Sequence, residues 1–180
     1  PSNNLVTYAP KSLNFQNVEF SMGEQYFGVK NDFPNLEEEH LGIGFRNFAL
    51  HTVFGFLNPE NPIAKGEVNG DLIAVNPFHA IGLVADLTIG DFELADIPLG
   101  ILDLKAKALS LQEYDFNLAL KEGKVDLDIF GSILADSLKT NLDLNLKLHA
   151  LQMSFLEIVS DSTLREAKGF IMGDFKVTGS

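Results

Sequence analysis

Strict alternation constrains this chain more than any other feature, and TNLDLNLKLHAL at 140–151 carries it plainly. Leu142, Leu144, Leu146 and Leu148 take every second position, with Asp143, Asn145 and Lys147 between them. A helix turns about 100° per residue and would scatter these leucines around its axis. An extended strand gathers them on one side and puts the polar residues on the other. The same period aligns Ile81, Leu83, Ala85, Leu87 and Ile89, then Leu102, Leu104, Ala106 and Ala108. It also aligns Tyr114, Phe116, Leu118 and Leu120, and Val125, Leu127 and Ile129. In FALHTVFGF it predicts a strand with Phe48, Leu50, Phe54 and Phe56 in one row and Thr52 among them. Turn chemistry bounds the rows: NPENP at 58–62, VNP at 75–77, IPLG at 97–100 and KEGK at 121–124. The pattern predicts about ten or eleven strands of roughly 6–11 residues, the longer ones exceeding the usual mean of ~5–6. Short connections make neighbours antiparallel.

Two stretches depart from alternation. In SFLEIVSDSTLREA, Phe155, Ile158 and Val159 are spaced by three and one, all on a helical face. That fits a short helix near 154–161, or a loop covering one end of a sheet. Before about Phe45 the pattern weakens into strand-like fragments and an acidic run, Glu37 to Glu39, read as a solvated loop. Residues 1–44 therefore form a leading segment and 45–180 the main β segment. An internal echo joins the two ends of the latter: AKGEVNGDL at 64–72 returns as AKGFIMGDF at 167–175, with five of nine residues identical. The frame keeps Gly66 and Gly70 in one copy and Gly169 and Gly173 in the other, read as strand glycines at bends or close backbone approaches.

Several function classes lose support. The 180 residues suit one domain, and 46% hydrophobic content suffices for a core. A formal net charge of −12 opposes nucleic-acid binding, which needs Lys and Arg against phosphates. With no cysteine there is no thiolate metal site or disulfide. His40, His51, His79 and His149 lie far apart without metal-ligand spacing. FGSI at 130–133 lacks the paired glycines of a nucleophile elbow. Asp126, Asp128 and Asp143 alternate with apolar residues as on any polar sheet face. No phosphate loop precedes a helix. The chain is thus read as no enzyme, with no cofactor and no metal. No apolar run approaches the ~18–20 residues of a membrane span. The opening PSNN and the close KVTGS, directly after a strand-like run, suit a segment of a longer protein.

Three all-β architectures accommodate the rows. A sandwich or closed soluble barrel would pack them against one another. An outer-membrane barrel would turn them to lipid between Tyr and Trp girdles, but there is no Trp and only three Tyr beside fifteen Phe. An elongated, curved, open antiparallel sheet would form a β-groove with an apolar lining, exposing more contiguous apolar surface than a soluble monomer normally tolerates. Such a surface needs a ligand. At ~4.8 Å per strand, ten strands would extend about 48 Å.

The stretch from AKGEVNGDL through YDFNLAL, and the closing AKGFIMGDFKVTG, resemble the TamB family, the translocation and assembly module subunit of diderm bacteria. The carriers are Gly66, Val68, Gly70 and Leu72; Gly169, Ile171, Gly173 and Phe175; and the run Leu87 to Ala106. The likeness covers about 45–180. It implies a taco-shaped β-groove lined by the alternating rows: Phe48, Leu50, Phe54 and Phe56; Leu83, Leu87 and Ile89; Leu102 and Leu104; Phe116, Leu118 and Leu120; Val125, Leu127 and Ile129; and Leu142 to Leu148 at every second residue. It further implies a periplasmic setting, with the whole protein anchored in the inner membrane and meeting a BamA-like (TamA-type) outer-membrane barrel through regions outside this segment. The function implied is carriage of phospholipid acyl chains between the two membranes, contributing to outer-membrane biogenesis. Two other readings stand beside it: a chaperone-like groove for outer-membrane protein clients in insertion or secretion, and a closed β-sandwich interaction domain.

Overall fold

The computed structural model describes residues 4–10, 12–16, 18–33, 39–52, 63–78, 82–108, 113–135, 140–160 and 165–179. The alternating rows become strands: β1 (Leu5–Ala9), β2 (Ser12–Gln16), β3 (Val18–Met22), β4 (Gln25–Lys30), β5 (His40–Ala49) and β6 (Ala64–Val75). β7 (Gly82–Leu94), β8 (Ile97–Ala108), β9 (Glu113–Lys121), β10 (Val125–Ala135), β11 (Thr140–Gln152) and β12 (Phe170–Gly179) follow. β3 to β12 form one ten-stranded antiparallel meander in which each strand lies beside its sequence neighbours. Its two edges, β3 and β12, do not meet, so the sheet is open rather than a barrel. The only other sheet among the described residues is the β1–β2 hairpin, so the closed-sandwich reading gives way to an open sheet. Asn31 ties that hairpin on: its amide nitrogen donates to Leu13 O at 3.0 Å and His40 O at 2.9 Å, and its Oδ1 accepts from Phe15 N at 2.7 Å. Residue 45 lies inside β5, and the sheet reaches back to Val18.

Three local features differ from or refine the sequence pattern. The strand expected over FALHTVFGF ends at Ala49, and residues 50–52 form a helical turn, so Leu50 leaves the row. On the β4 side the ladder stops at Tyr26–Arg46, and the Gln25 side chain takes the Ala49 N–H at 3.0 Å. Past that point an extended chain would have no β4 partner. The turn expected at IPLG lies two residues earlier, at Ala95 and Asp96, both with positive φ (50° and 61°), which is the requirement of a two-residue hairpin turn. The helical spacing near 154–161 resolves as a helix over Met153–Val159.

The sheet is bent by two devices. Register shifts fall at Phe45/Phe48 on β5, Lys65/Glu67 on β6, Ile89/Phe92 on β7, Asp126/Leu127 on β10 and Leu148/Leu151 on β11. These fall in two groups, one over β5 to β8 and one over β10 to β12, with the β8–β9 and β9–β10 ladders in unbroken register between them, and the extra residues increase local twist. The second device is glycine in the left-handed region. Gly70 (φ +119°) and Gly131 (φ +152°) sit where an added Cβ would lie 2.0 Å from Asp86 O and 2.1 Å from Asp143 O. Each stands directly opposite a phenylalanine, Phe45 and Phe116 respectively. Gly100, facing Phe92, repeats the arrangement with Lys121 O at 2.2 Å. Each kinked glycine thus has an aromatic residue as its cross-strand partner on one side and a closely approaching backbone on the other.

Candidate functional site

Cross-strand registry places side chains of one face in continuous rungs across the sheet. From β5 to β12 the first rung reads Phe48, Val68, Ile89, Leu102, Leu120, Leu127, Leu148, Gly173. The second is Phe45, Gly70, Leu87, Leu104, Leu118, Ile129, Leu146, Phe175. The third is Ile43, Leu72, Ala85, Ala106, Phe116, Gly131, Leu144, Val177, and the fourth Leu41, Ala74, Leu83, Ala108, Tyr114, Ile133, Leu142, Gly179. No charged residue interrupts any rung. The opposite face carries the partners of the alternation, with Lys105–Asp86 at 3.4 Å, Lys121–Asp103 at 3.7 Å, His149–Asp128 at 2.8 Å and Lys176–Asp143 at 3.1 Å.

The apolar face is the inside of the curve. Phe130 and Leu134, which point to the polar face, are 44% and 43% exposed. Leu118, Ile129, Leu144 and Leu146, uncovered by any second layer among the described residues, are nonetheless half-buried by their neighbours. The contrast holds in the middle of β9 to β11; elsewhere Ile73 on the polar face is buried beside Phe33, while Phe175 and Val177 at the β12 edge of the apolar face are 52% and 46% exposed. The lining varies in height. Ala74, Ala85, Ala106 and Ala108 make a low floor on β6–β8, flanked by Leu72, Leu83, Phe116 and Tyr114. Toward β3 the lining turns aromatic: Phe20 stacks on Phe27 at 4.7 Å, and Phe48 lies 5.6 Å from both Phe27 and Phe45. Phe20, Met22, Phe27, Phe48 and Thr52 there border a cavity of about 450 Å³.

One part of the face is covered. Leu99, Leu120 and Val125 form the buried cluster of the sheet, and Phe155 of the helix packs on it together with Phe92, Ile97, Leu102, Leu127, Leu148 and Leu151. The helix is held there by its ends: Gln152 N donates to Lys124 O at 2.9 Å, Met153 N to Gly169 O at 3.0 Å, and Ala167 N to Glu157 Oε1 at 2.5 Å.

Of the residues singled out from sequence, Phe48, Leu83, Leu87, Ile89, Leu102, Leu104, Phe116, Leu118, Leu127, Ile129, Leu142, Leu144, Leu146 and Leu148 share this one face. Leu120 and Val125 are on it too, but beneath Phe155. Leu50 is in the helical turn, and Phe54 and Phe56 lie outside the described residues. Gly66 (φ +136°) and Gly70 are both close-approach glycines within β6. Their counterparts diverge: Gly169 precedes β12 with open space beside it, and Gly173 lies under the Phe175 ring. Residues not singled out complete the face, chiefly Leu41, Ile43 and Phe45 on β5, whose HLGIGF alternates with Gly42 and Gly44. The period-two signal was there, masked by small residues.

Among the described residues no group of three His, Asp or Glu converges. His40 is buried on the other face, where its Nε2 accepts from Phe33 N at 2.9 Å. The resolved perturbations of acids and bases at the rim belong to one cluster. Lys65 donates to Asp96 and Glu93, both at 2.7 Å, which pushes its pKa up to about 12 and Asp96 below its ordinary value. Among the described residues no helix is long and apolar enough to cross a membrane. The chain matches no protein-family model, no curated protein and no solved structure.

Proposed function

We propose that this chain is a segment of a bridge-like lipid carrier, in which phospholipid acyl chains lie along the apolar face while headgroups stay at its wet margin. One observation carries the reading: four charge-free rungs run unbroken from β5 to β12, and among the described residues no second layer lies over most of their length. A soluble surface of that extent costs free energy unless something apolar covers it. Ten strands at ~4.8 Å make about 48 Å, several times the ~15 Å depth of one leaflet's hydrocarbon. Aliphatic and alanine lining offers dispersion without directional bonds, which suits a tail that slides. The resemblance to TamB supplies the setting: the periplasm of a diderm bacterium, with an inner-membrane anchor and a TamA-type outer-membrane barrel contributed outside this segment. The carriage is passive, and its direction comes from elsewhere in the machine.

The test is a photocrosslinking residue at Leu144, and separately at Asn145, in the intact parent protein inside cells. Phospholipid adducts at Leu144 and none at Asn145 are expected, because the two side chains point to opposite faces. Adducts confined to protein at Leu144 would overturn lipid carriage, and protein from an outer-membrane client in that position would replace it with the chaperone reading.

A further inference from the structure

The helix Met153–Val159 lies over one part of the apolar face, and little in its own sequence supports it. Seven residues make about two turns, too few for a helix that persists on its backbone bonds alone. Gln152 gives its N-terminus no side-chain cap, the first turn holds no acid and the last turn no base. Glu157 instead puts a carboxylate into the last turn, where it opposes the helix dipole. That carboxylate accepts the Ala167 N–H at 2.5 Å, which ties the helix to the chain leading into β12. The other hold is apolar: Phe155, itself half-buried, packs on the cluster of Leu99, Leu120 and Val125. Leu120 stands in the first rung between Leu102 and Leu127, so the ring covers a piece of a row that is open elsewhere. The bonds from Gln152 N to Lys124 O and from Met153 N to Gly169 O extend the strand ladders and give the helix a fixed pivot at its start.

We propose that the helix is a displaceable cover, and that the surface beneath Phe155 is a further acyl-chain site, which the chain's own phenylalanine fills while the face is unloaded. The inference rests on the lipid-carrier reading. A phenylalanine ring and a run of methylenes cover leucine side chains in the same way, removing apolar area from water through contacts without direction. Either one can lie on Leu120, and both cannot. A lipid bound to the open row gains further contacts when the helix swings away, so it shifts the balance toward the displaced position. The bond between Glu157 and Ala167 is the polar contact broken in that movement. The coupling is reciprocal: whatever loosens the helix strengthens lipid binding, and whatever fastens it weakens lipid binding. The first rung is then continuous for an acyl chain only in the loaded state.

The test titrates dihexanoylphosphatidylcholine, kept below its micelle concentration, into the isotope-labelled 180-residue chain. Acyl methylenes are expected to give nuclear Overhauser contacts to the methyls of Leu144 and also of Leu120. Over the same titration the Ser160 N–H, which donates to Leu156 O at 3.0 Å, should lose hydrogen-exchange protection. Glu157→Ala should lower the apparent Kd about three- to tenfold with β circular dichroism unchanged, the shift that one hydrogen bond of ordinary net strength allows. The chain has no cysteine, so Glu157→Cys with Ala167→Cys can be joined by a short bismaleimide. The joined chain should keep the Leu144 contacts and lose those to Leu120, while the same double variant left unjoined should show both. Contacts at Leu144 with none at Leu120, Ser160 protection unchanged by lipid, or Leu120 contacts that survive joining would each overturn the displacement and leave lipid carriage standing. No contact at either leucine would overturn lipid carriage, and this inference with it.

Discussion

The strands β9 to β11 carry the same leucine alternation from end to end, yet their two ends live in different surroundings. Near the helix, Leu120 is 8% exposed and sits with Leu99 and Val125 beneath Phe155. Farther along, Leu142 and Leu144 occupy the same face with no layer above them among the described residues. The pattern alone is therefore silent on whether a row is core or open surface. What decides it is a seven-residue helix folded back over one end.

The sharpest way to break that contrast is a charge at each end. Leu120→Asp should lose more than the ~2–5 kcal/mol that truncating a buried leucine costs, since an unpaired carboxylate is buried as well. Leu144→Asp should change stability by less than about 1 kcal/mol, as at an uncovered position. Urea unfolding of both variants measures the difference. Equal losses would mean that the Leu144 row is packed against protein.

Backbone kinks set the concavity that both ends share. Gly131→Ala should cost about 2–3 kcal/mol, because the backbone is held in a glycine-only region and the new Cβ meets Asp143 O. Gly169→Ala, with a positive φ but open space beside it, should cost less, about 1 kcal/mol. Matching losses from thermal unfolding would show that conformation, and not close approach, governs these sites.

Removing the cover itself is gentler. Phe155→Ala should cost roughly 1–2 kcal/mol, below the 3–5 of a fully buried phenylalanine, since Phe155 is only partly buried. It should also raise the binding of a hydrophobic dye by the folded chain, as Leu99 and Leu120 become accessible. Unchanged dye binding would mean that the helix covers nothing.

Much of this arrangement can be read from residues alone, and the rest cannot for identifiable reasons. The face of β7 to β11 follows from alternation because in the four rungs every position on these strands is leucine, isoleucine, alanine or an aromatic, apart from the one glycine at 131. β5 is hidden because Gly42 and Gly44 occupy its opposite face and blur the polar half of the pattern. FALHTVFGF keeps the period past the strand's true end, because hydropathy does not register that β4 has run out of backbone partners. The glycine echo led to Gly66 and Gly70, whereas Gly131 and Gly100, which do the same work, sit outside the repeated frame and show only by their opposite phenylalanines.

The smallest expected effect separates the covered end from the open one by pH. Lys65 on β6 clasps Glu93 of β7 and Asp96 in the turn that follows, at the strand ends beyond the first rung. The hydrogen bond from Lys65 lowers the Asp96 pKa below 3.8, so its support is complete above that value and is lost as pH falls through the depressed pKa. The bonds to Asp96 and then Glu93 raise Lys65 from 10.5 to about 12, so its support is complete below 10.5 and is lost as pH climbs through about 12. Between those limits the clasp should be indifferent to pH. All three groups are solvent-accessible, so global stability should barely respond. The local readout is the hydrogen-exchange protection of Ala95 N–H, which donates to Ile63 O at 2.7 Å beside the clasp. Its protection factor should hold down to pH 3.8 and drop only as pH falls further in the wild-type chain, and already be low and flat in Lys65→Met, while the Leu144 amide shows no difference between the two. A Leu144 amide that tracked Ala95 would mean the two ends open together, and the contrast between them would be one of exposure without independence.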